Sequence, residues 1–208
     1  METLLPLAGF AFASSITPGP NNLMLSASGI AFGLRRTLPH LAGVLVGFQS
    51  MLIVCASGVG ALVAAFPEVA LAMRLVGSGY LLYLAWVMRN AFAADASGRL
   101  PRPLTFVEAV LFQFVNPKAW LMALTAVSVF APGIEPRWLA LAAVCGVFAA
   151  VGLPCIGAWA LLGFSLHRGL GAPRWRDYLG LIVAVLMLYA VVAIWVGVDS
   201  PIAPMPSP

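Results

Sequence analysis

Four stretches of this chain contain no charged residue: 3–34, 37–67, 138–167 and 178–198. Each is long enough to cross a hydrocarbon core, which takes roughly 20 apolar residues. Inside a bilayer every backbone N–H and C=O must find its partner within the protein, so a spanning segment is a helix or a strand of a closed barrel. The short alternating segments of a membrane barrel are absent. The chain therefore reads as an all-α integral membrane protein. Composition agrees: 62% of residues are hydrophobic and 9% charged, against about 25% charged in a soluble domain. A secretory signal would run about 15–30 residues into a polar mature domain. Here apolar spans continue instead, and no cleavage is expected.

Six spans are predicted, at about Leu4–Ala31, Leu38–Ala65, Val69–Met88, Phe106–Phe130, Trp138–Phe164 and Tyr178–Val198. The second and fifth are long for one crossing and are expected to tilt, kink or extend past the bilayer. A polar segment divides the chain into repeat one (about 1–90), a linker (about 91–105) and repeat two (about 106–198), with a Pro-rich, disordered tail at 199–208. Three spans per half force the halves into opposite orientations, so the chain is predicted to form one transporter domain of two inverted three-helix repeats. Pro20 and Pro117 lie 97 residues apart and Trp86 and Trp195 lie 109 apart, a weak internal echo of that plan. Basic residues set the orientation. Arg35, Arg36, Arg89, Arg99, Arg102, Arg168, Arg174 and Arg176 all fall on one side. Lys and Arg concentrate in cytoplasmic loops, so both termini are expected outside the plasma (inner) membrane. The net charge of +4 is accounted for by this bias, and no basic soluble face is left for nucleic acid.

Two of the spans are interrupted. The first contains Thr17-Pro18-Gly19-Pro20-Asn21-Asn22. The prolines bring no N–H, so the carbonyls of Ser14 and Ile16 lose their helical partners, and Gly19 supplies freedom to turn. Pro20 suits the first position of a restarted helix, whose free amides and partial positive charge suit a carboxylate. Asn21 and Asn22 add donors and acceptors there. The alternative is a simple proline kink with the asparagines capping backbone. The fourth span contains Asn116-Pro117-Lys118, and Pro117 frees the carbonyl of Gln113. Lys118 is the chain's single lysine. A charge at the centre of a membrane helix costs at least about 2.5–3.5 kcal/mol, so it needs a partner. No acid lies mid-span, which leaves a substrate or the carbonyls freed in the first span; a lysine snorkelling to an interface is the alternative.

Other residues read as structural. Gly43 and Gly47 form a G-x-x-x-G packing face in the second span, and Gly146, Gly152 and Gly157 are expected to do the same in the fifth. His40 and His167 are expected at the surface or interface. Gln49 is read as facing the cavity or bonding a neighbouring helix. Cys55, Cys145 and Cys155 lack metal-ligand spacing and read as packing residues. No metal, cofactor or catalytic residue is expected.

SITPGPNNLM at Ser15–Met24, GIAFGLRR, AGVLVGF, LVGSGYLLYLAW at Leu75–Trp86 and FVNPKAW at Phe114–Trp120 together resemble the LysE/RhtB family of amino-acid exporters. The likeness is clear over about Leu4–Phe130; beyond that only the pattern of spans matches. Two departures are Ala85, where glycine is usual, and SVFAPG after the fourth span, where many relatives have a Pro-Gln-Phe-like turn. The resemblance implies six helices and export of amino acids or related metabolites, coupled to the proton or ion gradient.

The residues add a preference. A cationic amino acid would need an acidic partner, and Lys118 would repel it. A neutral, zwitterionic substrate is expected, with Lys118 and the two broken-helix ends on its carboxylate and Asn22 and Asn116 on its amino group. The candidate binding set is thus Pro18, Gly19, Pro20, Asn21, Asn22, Gln113, Asn116, Pro117 and Lys118. Expected partners are this small molecule and membrane lipid; a homo-oligomer is left open. The rival readings are a divalent metal-ion exporter, which would want carboxylates, imidazoles or thiolates together, and a membrane enzyme, which would need an acid/base pair or activated nucleophile.

Overall fold

The computed structural model describes residues 4–58, 65–93, 102–131, 136–169 and 176–196. The tail at 199–208, Gly60, Arg99, Arg174 and most of the linker lie outside them.

Prolines decide where the first helices stop. α1 (Leu4–Ile16) ends before Pro18, and α2 (Pro20–Phe32) restarts with Pro20 in its first turn. Gly33, at φ +75°, takes a backbone conformation that side chains disfavour, and its N–H closes α2 on the Gly29 carbonyl at 3.0 Å. α3 (Leu34–Ala56) follows at once. It stops well short of the expected end at Ala65: the Ser57 N–H and hydroxyl turn back onto the carbonyls of Ile53 and Val54, and Gly58 has φ +92°. α4 (Pro67–Ala93) completes the first half.

The second half begins at a capping box. The Thr105 hydroxyl accepts from the Glu108 N–H, and the Glu108 carboxylate accepts from the Thr105 N–H and from Arg102 at 2.6 and 2.7 Å. α5 (Phe106–Val115) and α6 (Pro117–Thr125) follow, with a π-helical turn at Ala126–Phe130. The chain bends by 73° at Asn116. α7 (Arg137–Gly169) and α8 (Arg176–Val196) complete the described residues, which are helical with no strand. Leu34–Ala56 and Arg137–Leu166 are each long and apolar enough to cross a membrane, and the bent α5–α6 pair adds a third candidate.

The core falls into two apolar clusters. One gathers Leu23, Leu25 and Ile30 of α2 with Leu81 of α4 and Met187 of α8. The other gathers Leu7 of α1, Met51 of α3, Trp120 of α6 and Phe148 of α7. The broken first segment thus divides its halves between two cores. Large apolar side chains also face outward, among them Leu5, Trp86, Trp138 and Val196.

Close helix contacts depend on glycine at two seams. A Cβ on Gly43 would strike the Phe106 carbonyl of α5, and one on Gly47 would lie 2.6 Å from Gln113 Cγ. At the other seam a Cβ on Gly29 would lie 2.6 Å from the Ala160 carbonyl, and one on Gly163 would strike the Ser26 carbonyl. Of the glycines expected to pack in the fifth span, Gly146 and Gly157 meet nothing within 4 Å; Gly163, nearly two turns beyond the expected set, makes the contact instead. His40 also differs from expectation. It is 1% exposed, and among the described residues neither ring nitrogen has a hydrogen-bond partner. Gly43, nearly one turn along α3, lets α5 close over this part of the helix.

Candidate functional site

The first break is a set of carbonyls that each find a donor. Thr17 Oγ1 donates to the Ser14 carbonyl at 3.1 Å. Trp159 Nε1, reaching over from α7, donates to the Ile16 carbonyl at 3.0 Å. Asn22 Nδ2 bridges the carbonyls of Ser15 and Thr17 at 2.8 and 2.9 Å. No side chain caps α2, and the first of its amides with a backbone acceptor is that of Leu23, on the Gly19 carbonyl. The N-terminal end of α2 therefore keeps donors to offer a ligand.

The second break is finished differently. Asn116 Oδ1 accepts from the Lys118 N–H at 3.1 Å, capping α6 with its own flanking residue. The Gln113 carbonyl, which Pro117 was expected to leave open, accepts from the Asn116 N–H at 3.2 Å. Trp120 Nε1 meets the Phe114 carbonyl. Of the two broken-helix ends expected to hold a carboxylate, only that of α2 is uncapped.

The breaks meet through two bridges. Lys118 Nζ donates to Thr17 Oγ1 at 2.9 Å, to the Thr17 carbonyl at 3.0 Å and to the Pro18 carbonyl at 3.3 Å. An ammonium has three N–H groups, so all three have acceptors. Asn21 and Gln113 exchange reciprocal amide bonds, 2.7 Å from Asn21 Nδ2 to Gln113 Oε1 and 3.2 Å in return. Gln113 is itself anchored on the Ala109 carbonyl. Gly19 is extended, at φ −173° and ψ 174°, a conformation any residue adopts. What the glycine provides is room: a Cβ there would lie 2.8 Å from Lys118 Cδ.

These groups border a cavity at the seam between the two apolar clusters. Gly19, Pro20, Asn21, Asn22, Gln113, Asn116 and Lys118 line it; Pro18 and Pro117 shape the breaks without lining it. Phe48, Met122, Phe148 and Ile156 provide apolar wall. Lys118 is the only charged residue among the lining set. The space open to water centres is about 60 Å³, enough for a few waters at about 10–15 Å³ each. Two expected ligands are already committed: the Asn22 amide braces backbone, and Asn116 Oδ1 caps α6. Gln49 does not line the cavity, and its buried Nε2 has no partner among the described residues. Gly43 and Gly47 lie on the α3–α5 seam. Among the described residues no three of His, Cys, Asp and Glu gather as metal ligands would.

Sequence reasoning missed Ser14, Ser15, Gly152 and Trp159. The serines carried a signal, as polar residues one turn before Pro18 in an apolar span. Trp159 carried a weaker one: an indole N–H in a dry helix needs an acceptor, but which acceptor depends on the fold.

A family model described as LysE type translocator matches residues 12–198. The chain is 34% identical over 194 residues to a protein of Salmonella typhimurium named cysteine/O-acetylserine efflux protein, covering 89% of this chain and 94% of that one. A protein of the same name from Klebsiella pneumoniae is 34% identical over 161 residues, covering 76% and 81%. Another from Escherichia coli O139:H28 is 30% identical over 194 residues, covering 89% and 94%. No solved structure matches the chain.

Proposed function

The chain belongs to the LysE family of membrane translocators, and from that membership and the chemistry of its cavity we propose that it exports a small, neutral amino acid or close derivative from the cytoplasm. The observation that carries this reading is the convergence of Lys118 and the uncapped end of α2 on one cavity with no acidic lining residue. A carboxylate is a stronger acceptor for an ammonium than a neutral carbonyl. A substrate carboxylate would draw Lys118 from Thr17 and Pro18 while the amides of α2 meet it from the other side. The Asn21–Gln113 pair can turn amide oxygens toward the substrate ammonium. A cationic side chain would find no counter-charge, and the small cavity favours a short one. The names of the relatives, cysteine and O-acetylserine efflux proteins, point to substrates of that class.

The transport plan we propose is six spans in two inverted halves. The helix pairing supports it. The first segment (α1–α2) packs on α7, the fourth (α5–α6) packs on α3, and α4 packs on α8. Exchanging the halves maps each pairing onto another or onto itself, and a glycine seam serves both unlike pairs. The outward apolar side chains then face lipid. Alternating access would open the cavity to each side in turn. No phosphate-binding loop accompanies the single lysine, which is followed by Ala119, so a proton or ion gradient is the proposed energy source.

Vesicles loaded with a panel of labelled amino acids test the reading. Efflux of cysteine, O-acetylserine or another short neutral amino acid, abolished by an ionophore, is expected. Efflux of lysine and arginine alone would overturn the neutral preference.

A further inference from the structure

The hydroxyl of Ser15 lines the cavity on a residue only 7% exposed, and among the described residues it neither donates nor accepts a hydrogen bond. A helical serine ordinarily turns its hydroxyl back onto a carbonyl one turn earlier. Ser14 does so, donating to the Phe10 carbonyl at 2.6 Å and reaching the Ala11 carbonyl at 3.3 Å. Ala11 is the residue whose carbonyl Ser15 would otherwise use. Ser15 Oγ is not among the fully enclosed partnerless atoms, so it opens onto the cavity and is left for whatever occupies it.

Gly152 stands opposite. Its absent Cβ would lie 3.6 Å from Ser15 Oγ, and no other atom comes within 4 Å. Its φ is not positive, and no helix backbone approaches it as one approaches Gly43 or Gly163. Neither backbone strain nor helix packing therefore calls for a glycine here. One turn to either side on α7, Phe148 and Ile156 also line the cavity. Gly152 is thus a notch between two bulky side chains, with a free hydroxyl facing it.

Building on the export reading above, we infer that Ser15 and the Gly152 notch form the side-chain subsite, in which the Ser15 hydroxyl recognises a short side chain carrying a hydrogen-bonding group such as a thiol, hydroxyl or ester carbonyl. The polar cluster at the two breaks holds the amino-acid head; Ser15 reads the group attached to the substrate's β-carbon. The notch limits length, because Phe148 and Ile156 flank it one turn away on either side of α7.

The test compares efflux of cysteine, kept reduced, with that of 2-aminobutyrate, which replaces the thiol by a methyl of similar size. Vesicles carry wild type, Ser15→Ala or Gly152→Ala, with rates normalised to folded protein. Wild type is expected to prefer cysteine. Ser15→Ala should lower that preference roughly fivefold to tenfold, the worth of one hydrogen bond at a buried site. Gly152→Ala places a methyl at ordinary contact distance, 3.6 Å from Ser15 Oγ. It should lower O-acetylserine efflux relative to cysteine by about tenfold, as expected for a site narrowed by one methyl. An unchanged cysteine preference in Ser15→Ala, or an unchanged O-acetylserine-to-cysteine ratio in Gly152→Ala, overturns the subsite. Wild-type vesicles that release no amino acid overturn the export reading, and the subsite falls with it.

Discussion

Lys118 illustrates how a costly residue is made tolerable. Its ammonium is shared among two carbonyls and a hydroxyl at the break in the first segment, so a fixed acidic partner is not needed. Its aliphatic stem lies over Gly19. Two substitutions separate a binding role from a bracing role. In Lys118→Met the Thr17 carbonyl keeps Asn22, and Pro18 is exposed, so water can reach its carbonyl. The cost in stability should be about 1 kcal/mol, while efflux should fall at least about tenfold, the worth of one charge-assisted hydrogen bond. Gly19→Ala is compatible with the extended backbone, but its methyl displaces the flexible lysine head. It should therefore fold and still lose most efflux. Vesicle efflux and thermal unfolding in detergent measure the two effects. Near-normal export by both variants would remove Lys118 from the site.

Among the elements, close approach of backbones decides which glycines matter. Gly163 admits the Ser26 carbonyl of α2, whereas Gly157, on the same helix, faces open space. Gly163→Ala should push α7 off α2 and cost about 1–3 kcal/mol, the usual penalty for overpacking a tight contact. Gly157→Ala should be neutral or slightly stabilising, since alanine favours a helix by up to about 1 kcal/mol over glycine. Unfolding midpoints in one detergent compare them directly, and equal shifts would mean that the α2–α7 seam is not under this constraint. Helix breaks follow a simpler rule. Pro18, Pro20 and Pro117 stop or restart helices wherever they fall, whereas Pro39 and Pro154 lie inside α3 and α7.

For the molecule as a whole, the arginine bias gives a testable orientation. In a background without the three native cysteines, Ser97→Cys and Ser207→Cys introduce labels in the linker and the tail. An impermeant thiol reagent applied to intact cells should modify position 207 and spare position 97, because the eight-arginine side is expected to be cytoplasmic. The reverse pattern would invert the topology and turn the proposed exporter's cavity cycle the other way round.

Hydropathy, charge-free runs and proline placement were enough to determine an all-helical membrane protein interrupted at Pro18–Asn22 and at Asn116–Lys118, because these depend on local backbone chemistry and on transfer from water to lipid. Family likeness was equally legible, since it rests on short strings of residues. The sequence did not show which donor meets which freed carbonyl. Trp159 reaches Ile16 from 143 positions away, and Lys118 reaches Thr17 from 101. Nor did it show that Asn22 and Asn116 are spent on backbone, that His40 is enclosed, or that Gly152 opens a notch while Gly163 seals a seam. Those outcomes depend on how helices distant in sequence come into register, which is decided by side-chain volume and hydrogen-bond satisfaction across the assembled bundle.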